Sequence, residues 1–530
     1  MNRPRRGGDI SAIFVHAGAG FHSHHNERAH LETCENAAKV AMAMLKNGGT
    51  AVDAVEIAIM LLEDAEITNA GYGSNLTIDG SVECDATIVD HKGRSGAVGA
   101  VAQVKNPISL ARVVLEASTK PLSLQRVPPN FLVGSGAVDF AYEHGLVVLP
   151  HDGLISVAAK ERWNRWRHDL EDAAERERQQ SPTRYSHKAY VRQPVPVHPA
   201  QLLATPCSIG PSSLASSPLA SHPTSNYVPA DNIRDRTSAQ EAQGLTPPAD
   251  QNSEYSDSSR AKGGGYIDGA FPETGNTSGA LKGSALRDSS SASNVNLSEH
   301  PAVPPETGHS SMDIDPPGEP NQHHTDADHI TDTVGAIAVD RYGNIAAGSS
   351  SGGIGMKHRG RVGPAALVGI GTNIIPADPN DPEKTFVATV TSGTGEHIAT
   401  TMAASTCALR VYYSQRKCED GAFEYVSEDE AIREMIKSDF MDHPGVRGSL
   451  CQGAIGVMAV KKTVDGIFLF FGHNTDSFAL ASMSSEDKKP VSVMSRSSGN
   501  GGIAQGGRAC RHKRYVHKSC YDLIDYLQKQ

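Results

Sequence analysis

The apolar positions change period along the chain, and the changes mark its elements. Ala12 to Val15 reads as a short strand running into His16-Ala17-Gly18-Ala19-Gly20, where small residues let backbone pass close to a neighbour. Leu31 to Leu45 carries apolar residues at helical spacing and stops at Asn47-Gly48-Gly49. Thr50 with Asp53 forms a capping-box pattern, and Val52, Val55, Ile57, Ile59, Met60 and Leu61 predict a helix buried over most of its surface. A glycine-rich loop follows, Asn69-Ala70-Gly71-Tyr72-Gly73-Ser74-Asn75, of the kind that lines sites. Val82 to Val89 and Gly96 to Val104 are strands. Asn106-Pro107 opens a helix through Glu116 with Asn as N-cap, and Ala137 to Glu143 is a helix closing at Gly145.

From Trp163 to Glu177 an Arg/Glu-rich stretch predicts a solvated helix. Ser, Pro, Gly, Asn and His then dominate as far as His329. Such a stretch buries too little apolar area to offset about 1 to 2 kcal/mol of backbone entropy per residue, so it is expected to be disordered. Beyond it, Val334 to Arg341 and Ile345 to Ser351 form a hairpin whose Tyr342-Gly343-Asn344 corner supplies positive φ. Ala365 to Ile370 and Val387 to Thr391 read as strands, the latter leading through Ser392-Gly393-Thr394-Gly395-Glu396 into a helix that continues to about Tyr412. Ser427 with Glu430 caps another helix, and Ile455 to Val460, Ile467 to Phe471 and Phe478 to Ala481 supply further strands. The pattern predicts two αβ halves, 1–165 and 333–530, around an insert at 166–332.

Composition narrows the function. Of 530 residues 38% are hydrophobic and 5% aromatic, which fits one globular unit plus the insert better than two or three packed domains. Lys+Arg 49 against Asp+Glu 60 gives a net charge of -11, which argues against nucleic acid or an anionic membrane as the main partner. No segment approaches a membrane span, and Ile10 to Val15 is too brief for a signal core. The 8 cysteines are scattered without a CxxC pair and are expected to be reduced intracellular thiols. His22, His24 and His25 lack carboxylate or thiol partners at ligand spacing, so no metal or other cofactor is expected. No Gly-Lys dipeptide occurs, which excludes a Walker loop, and Gly134-Ser135-Gly136 lacks the third glycine of a dinucleotide fingerprint.

The candidate chemistry is at Asp332-Thr333, where irregular chain meets the hairpin. A Thr hydroxyl there can attack the preceding carbonyl, give an ester by N-to-O acyl shift, and be freed by water as a new N-terminal Thr. The freed α-amine titrates near pH about 7.7 and can take the proton of its own residue's hydroxyl. The alternative is an ordinary β-branched strand opener. At Thr394 and Gly395 a helix begins, and its free N–H groups suit an oxyanion; the alternative is a glycine-containing cap.

These blocks together resemble the asparaginase-type N-terminal-nucleophile hydrolases, most closely the threonine aspartase branch. The carriers are HAGAG at His16 to Gly20, NAGYGSNL at Asn69 to Leu76, ECDA at Glu83 to Ala86, DTVGA at Asp332 to Ala336, SSGG at Ser350 to Gly353, HRGRVG at His358 to Gly363 and SGTGEH at Ser392 to His397. The resemblance implies an α+β fold, a four-layer αββα sandwich of two fragments made by autocleavage between Asp332 and Thr333, and a homodimer of processed units. It implies Thr333 as nucleophile, Ser351 as the hydroxyl polarising it, Thr394 and Gly395 as the oxyanion hole, and Asn69 as an orienting amide. It places Arg361 and Gly393 against the substrate, the planar guanidinium fork pairing with a carboxylate.

The asparaginases have an acid after their GRVG that holds the substrate ammonium, where this chain has Pro364. The threonine aspartases have Cys where this chain has Thr394. The leading expectation is an endopeptidase that cleaves a protein substrate after Asp. An asparaginase or isoaspartyl aminopeptidase is the alternative, and a non-catalytic scaffold that binds partners through the insert is the third reading. The expected location is the cytoplasm; nuclear entry stays open, because the basic residues between Arg162 and Arg167 are interleaved with others.

Overall fold

A computed structural model describes residues 10–180, 333–497 and 502–511. The insert predicted to be disordered lies outside the described residues except at its start, and Asp332 lies outside them too. In chain order the first part holds β1 (Ala12–Gly20), α1 (Glu27–Lys46), α2 (Ala51–Glu63), β2 (Cys84–Val89), β3 (Ser95–Val101), α3 (Pro107–Ala117), β4 (Phe131–Val133), α4 (Gly134–Glu143) and α5 (Val157–Gln180). The second part begins with β5 (Val334–Val339), β6 (Ile345–Ser351), β7 (Thr372–Ile375), β8 (Phe386–Gly393), α6 (Gly395–Thr400) and α7 (Ala403–Tyr413). It continues with β9 (Gln415–Lys417), β10 (Phe423–Tyr425), α8 (Glu428–Glu434), α9 (Pro444–Arg447), β11 (Ile455–Thr463), β12 (Gly466–His473), β13 (Ser477–Ser484), β14 (Val491–Arg496) and β15 (Ala504–Cys510).

An 8-stranded sheet runs β14-β13-β1-β5-β6-β2-β3-β4 and a 5-stranded sheet runs β15-β12-β11-β8-β7. Strand periodicity explains how they stack. In β5, Val334, Ala336 and Ala338 pack with Met42, Val55 and Ile59 of the helices, while Ile337 and Val339 pack with Val390, Met458 and Val460 of the smaller sheet. The smaller sheet turns Val387, Val457 and Ala459 to Cys407, Val411 and Ile436 on its outer side. The order of layers is therefore helices, sheet, sheet, helices. Each inner strand is apolar on both faces, which is why both halves read as continuous small-residue runs rather than clean alternation.

Local signals hold where side chains cap. Thr50 and Asp53 exchange both bonds of the capping box, and Ser427 accepts from the Glu430 N–H. Gly343 takes φ 80° in the hairpin turn, where Asp340 Oδ1 accepts from the N–H groups of Tyr342 and Asn344. Other expectations are corrected. Asn106 does not cap α3 with its side chain; its amide donates to Asp64 Oδ1, and buried Glu63 accepts the Ile108 N–H at 3.0 Å instead. Ala365 to Ile370 is no strand: Pro364–Ala366 forms a single 3₁₀ turn and the strand starts at Thr372. The long helix after Gly395 is two, broken at Met402 in the left-handed region at φ 51°. The Trp163–Glu177 stretch lies within α5, so the expected boundary at 165/166 falls inside a helix. That helix is also not wholly solvated, for Trp163 is buried and donates from its indole N–H to the Thr77 carbonyl.

Burial pushes the Glu63 carboxyl up to about 8, against the opposing pull of the Ser350 hydroxyl and the Ile108 N–H. Its folded pKa lies above its ordinary 4.5, so between those values the native state holds a proton that the unfolded chain has lost. This contribution to stability is full below the unfolded pKa and disappears as pH rises through about 8. Glu63→Gln keeps an oxygen for the Ile108 N–H and removes the titration. Denaturant melts from pH 5 to 8.5 are expected to show a flatter loss of stability for the variant than for wild type; equal slopes would mean that Glu63 is ionised in the fold.

Among the described residues no helix is long and apolar enough to cross a membrane, and no three His, Cys, Asp or Glu side chains converge as a metal site requires. Cys34, Cys84, Cys407, Cys418, Cys451 and Cys510 are free.

Candidate active site

The inter-sheet core changes from apolar to polar at one end. Thr333 precedes β5 in phase with inward Ile337 and Val339, Ser351 follows Ile345 and Ala347 on β6, and Ser392 follows Ala388 and Val390 on β8. Period two thus aims three hydroxyl side chains into the gap between the sheets. Thr333 is 6% exposed, Ser351 4% and Ser392 1%. The register that puts Val334 opposite Ser350 carries Thr333 opposite Ser351. The Thr333 N–H donates to Ser392 Oγ at 3.3 Å, and so does the Ala19 N–H from β1 at 3.0 Å. Ser392 Oγ therefore accepts two amides and keeps its own proton to donate.

His16, on β1, lies on the same polar end, buried against Phe478 with ring centroids 5.3 Å apart. Gly335 faces it, and a Cβ on Gly335 would collide with the imidazole. Burial pushes the imidazole down to about 3, opposed only in part by the neighbouring Thr333 backbone, so the ring beside Thr333 is neutral at ordinary pH.

Asn69 reaches this end from the glycine-rich loop. Its Nδ2 donates to the Gly353 carbonyl at 2.7 Å, its Oδ1 accepts the Asn75 N–H at 2.9 Å, and its own carbonyl accepts the Gly352 N–H at 2.8 Å. Ser351 Oγ accepts the Gly353 N–H at 3.0 Å. Asn69 thus acts on the Ser351-Gly352-Gly353 turn and not directly on Thr333.

Arg361 sits at the mouth, its side chain 17% exposed. Glycines make room for its head: a Cβ at Gly353 or Gly363 would lie 2.9 Å from Nη1, and one at Gly395 2.5 Å from Nη2. The loop carrying it is staked from below by the ECDA block. Asp85 Oδ2 accepts the Gly363 N–H at 2.7 Å and Oδ1 the Ala100 N–H at 2.8 Å, while Glu83 Oε2 accepts the Gly360 N–H at 2.7 Å and the Glu83 carbonyl accepts Lys357 Nζ. Two nitrogens along one edge of the Arg361 guanidinium, Nε at 3.1 Å and Nη2 at 2.9 Å, donate to Glu396 Oε1.

The structure brings Thr333, Ser351 and Ser392 together, with Asn69 on the turn after Ser351 and Arg361 beside Gly353 and Gly395. Thr394 is not placed to stabilise an oxyanion with its N–H, which donates to the Ala454 carbonyl at 2.8 Å, while its hydroxyl donates to the Gln452 carbonyl. Gly395 opens α6, a helix of 6 residues, with its Cα turned to Arg361 and Pro364. The hydroxyl beside Thr333 is that of Ser392, two positions before Thr394 and next to Gly393. Ser392, Glu396, Asp85 and His16 were not singled out from sequence as site residues, although the strand period running Ala388, Val390, Ser392 points inward. A cleft of about 400 Å³ opens at the other end of β5 and β6, beside Asp340 and Asn344. Arg94 and Arg112 in its wall are paired with Asp90 and with Asp53, Glu56 and Glu116, so no free charge of theirs is offered to a ligand.

The profile of the asparaginase family matches residues 10–194 and 287–477, more than half of the chain. The chain belongs to this family. The αββα layering of that family agrees with the layers described above. It is similar to the isoaspartyl peptidase/L-asparaginase of Rattus norvegicus, with 41% identity over 160 residues, 30% of this chain and 45% of that protein. The isoaspartyl peptidase/L-asparaginase of Homo sapiens is 39% identical over 160 residues, 30% and 49% of the two chains. A probable isoaspartyl peptidase/L-asparaginase 2 of Arabidopsis thaliana is 38% identical over 152 residues, 27% and 43%. The chain spans about half the length or less of these relatives in the matched regions. Their names are those of the alternative reading within the asparaginase family, not of the threonine aspartase branch expected first.

Proposed function

We propose that the chain cuts itself between Asp332 and Thr333 and then hydrolyses the side-chain amide of β-aspartyl peptides and asparagine. The observation that carries the chemistry is Thr333 at the start of a central strand, opposite Ser351, with its nitrogen on Ser392 Oγ. The choice of substrate is supported by the relatives' names and by Arg361, a carboxylate-gripping fork fixed at the mouth. In self-cleavage Thr333 Oγ1 attacks the Asp332 carbonyl carbon and the C–N bond breaks. The nitrogen departs as the Thr333 amine, and water hydrolyses the ester to leave Asp332 with a carboxylate. In turnover that amine takes the hydroxyl proton as Oγ1 attacks the substrate's side-chain carbonyl. The proton passes to the leaving amine or ammonia, and water then releases aspartate. Ser392 O–H, not the Thr394 N–H, donates to the oxyanion, and Ser351 positions the glycine turn beside it.

A second reading, an endopeptidase cutting after Asp, is favoured by Pro364, which offers no charge to a free ammonium. One assay separates them: processed protein is incubated with a β-aspartyl dipeptide, with asparagine and with an Asp-containing peptide. Release of aspartate from the first two supports the proposal. Cleavage after Asp with neither of the others hydrolysed would replace it by the endopeptidase reading.

A further inference from the structure

We propose that Glu396 is the group that holds the substrate's α-ammonium, its carboxylate changing partner from Arg361 to the substrate when the substrate carboxylate takes the guanidinium. This rests on the asparaginase reading above and adds the residue that makes the site selective for a zwitterion.

The geometry of the mouth leads there. Arg361 is walled by Gly353, Gly363 and Gly395, so its fork has little room to swing. In the free protein the two nitrogens of its Nε–Nη2 edge lie on one atom, Glu396 Oε1. A fork matched to two carboxylate oxygens is thus engaged by one, and a substrate carboxylate that offers two makes the better partner. The displaced Glu396 needs only a short move, because its side chain is 60% exposed and stands on the first turn of α6, immediately after Gly395.

The other acids near Arg361 cannot perform this exchange. Asp85 is buried and spends one oxygen on the Ala100 N–H and the other on the Gly363 N–H. Glu83 is buried too, with Oε2 on the Gly360 N–H and Oε1 3.8 Å from Arg359. Position 364, which a Cβ on Gly395 would touch, is an uncharged proline. Burial works against the Glu396 carboxylate, yet the charge and hydrogen bonds of Arg361 outweigh it and hold the acid below its usual range, so it is charged and ready at neutral pH.

The exchange leaves no charge unpaired. A zwitterion converts one internal pair into two pairs with itself, whereas a dicarboxylate without an ammonium leaves Glu396 facing a second anion. Selectivity follows from that difference, since a hydrogen bond between charged groups is worth about 10- to 100-fold in affinity.

The test is calorimetric titration of the processed wild type and Glu396→Gln with L-aspartate and with succinate, which differs by lacking the ammonium. Wild type is expected to bind aspartate about 10- to 100-fold more tightly than succinate. Glu396→Gln is expected to bring the ratio close to one by weakening aspartate alone. An equal preference in both proteins, or a ratio near one in wild type, overturns the proposal; if Glu396→Gln does not fold, Glu396→Ala is read in its place. Wild-type hydrolysis of the β-aspartyl dipeptide is read separately. If it occurs while the ratio stays unchanged in the variant, the role of Glu396 falls and the asparaginase reading stands. If it does not occur, both fall.

Discussion

Thr333→Ala is expected to leave the chain as one uncut band on a denaturing gel and to lower hydrolysis by a factor on the order of 10⁴ or more, because one residue supplies both nucleophile and base. Wild type should give two bands, the smaller beginning Thr-Val-Gly-Ala by N-terminal sequencing. The lost atoms are few: Thr333 is buried between sheets whose packing rests on neighbours such as Ile337 and Val390, so the variant should melt cooperatively near the wild-type temperature. Thr333→Ser should restore slower processing. Processing of Thr333→Ala at the wild-type rate would remove Thr333 from the mechanism.

Arg361→Ala is expected to lower kcat/KM for a β-aspartyl dipeptide by roughly 10²- to 10³-fold, the effect of removing one partner of a desolvated, doubly hydrogen-bonded charge pair. Arg361→Lys should recover little, since a point charge cannot replace the fork. Self-cleavage in the same variant separates the two functional readings. An endopeptidase must grip the Asp side chain with Arg361, so cutting after Asp332 would slow with it. An asparaginase uses Arg361 only for the incoming substrate, and its self-cleavage should proceed unchanged. The measurement is the half-time of band conversion for Arg361→Ala beside the steady-state rate of the dipeptide assay.

The parts of this site that were legible in sequence are those fixed by local patterns. The hairpin on either side of Gly343, the capping box of Thr50 and the glycine-rich loop at Asn69 are decided by residues within a few positions of one another. What could not be read depends on partners far along the chain, from 45 to 373 residues away. Thr394 looked like an oxyanion donor because it precedes a helix, yet its N–H is already taken by Ala454 across the β8–β11 edge. Ser392 reads in sequence as the first residue of the stretch leading from a strand into a helix, and only the approach of Ala19 and Thr333 makes it a site residue. The apparent strand at Ala365 to Ile370 shows another limit. Its apolar residues are buried through a turn that Pro364 starts, and composition alone does not distinguish the two. Glu63 carries no sequence signal for its task, because the helix it caps begins 44 residues later at Pro107, through Ile108.

The strand order in the larger sheet bears on what a cut at residue 333 does to the molecule afterwards. β1 lies between β13 and β5, and β2 pairs with β6, so strands from before and after the cut are interdigitated within one sheet. The severed pieces therefore cannot drift apart without losing the sheet itself, and the folded state hardly registers the missing bond. Refolding does register it. An intact precursor recovers from denaturant by a first-order process at any dilution, whereas the two pieces must first meet, so recovery becomes second order and fails as concentration falls. The self-cleavage proposed above acts on this topology as a ratchet: it leaves the folded protein in place but removes the route by which it was made, and its lifetime is then governed by the rate at which the shared sheet opens.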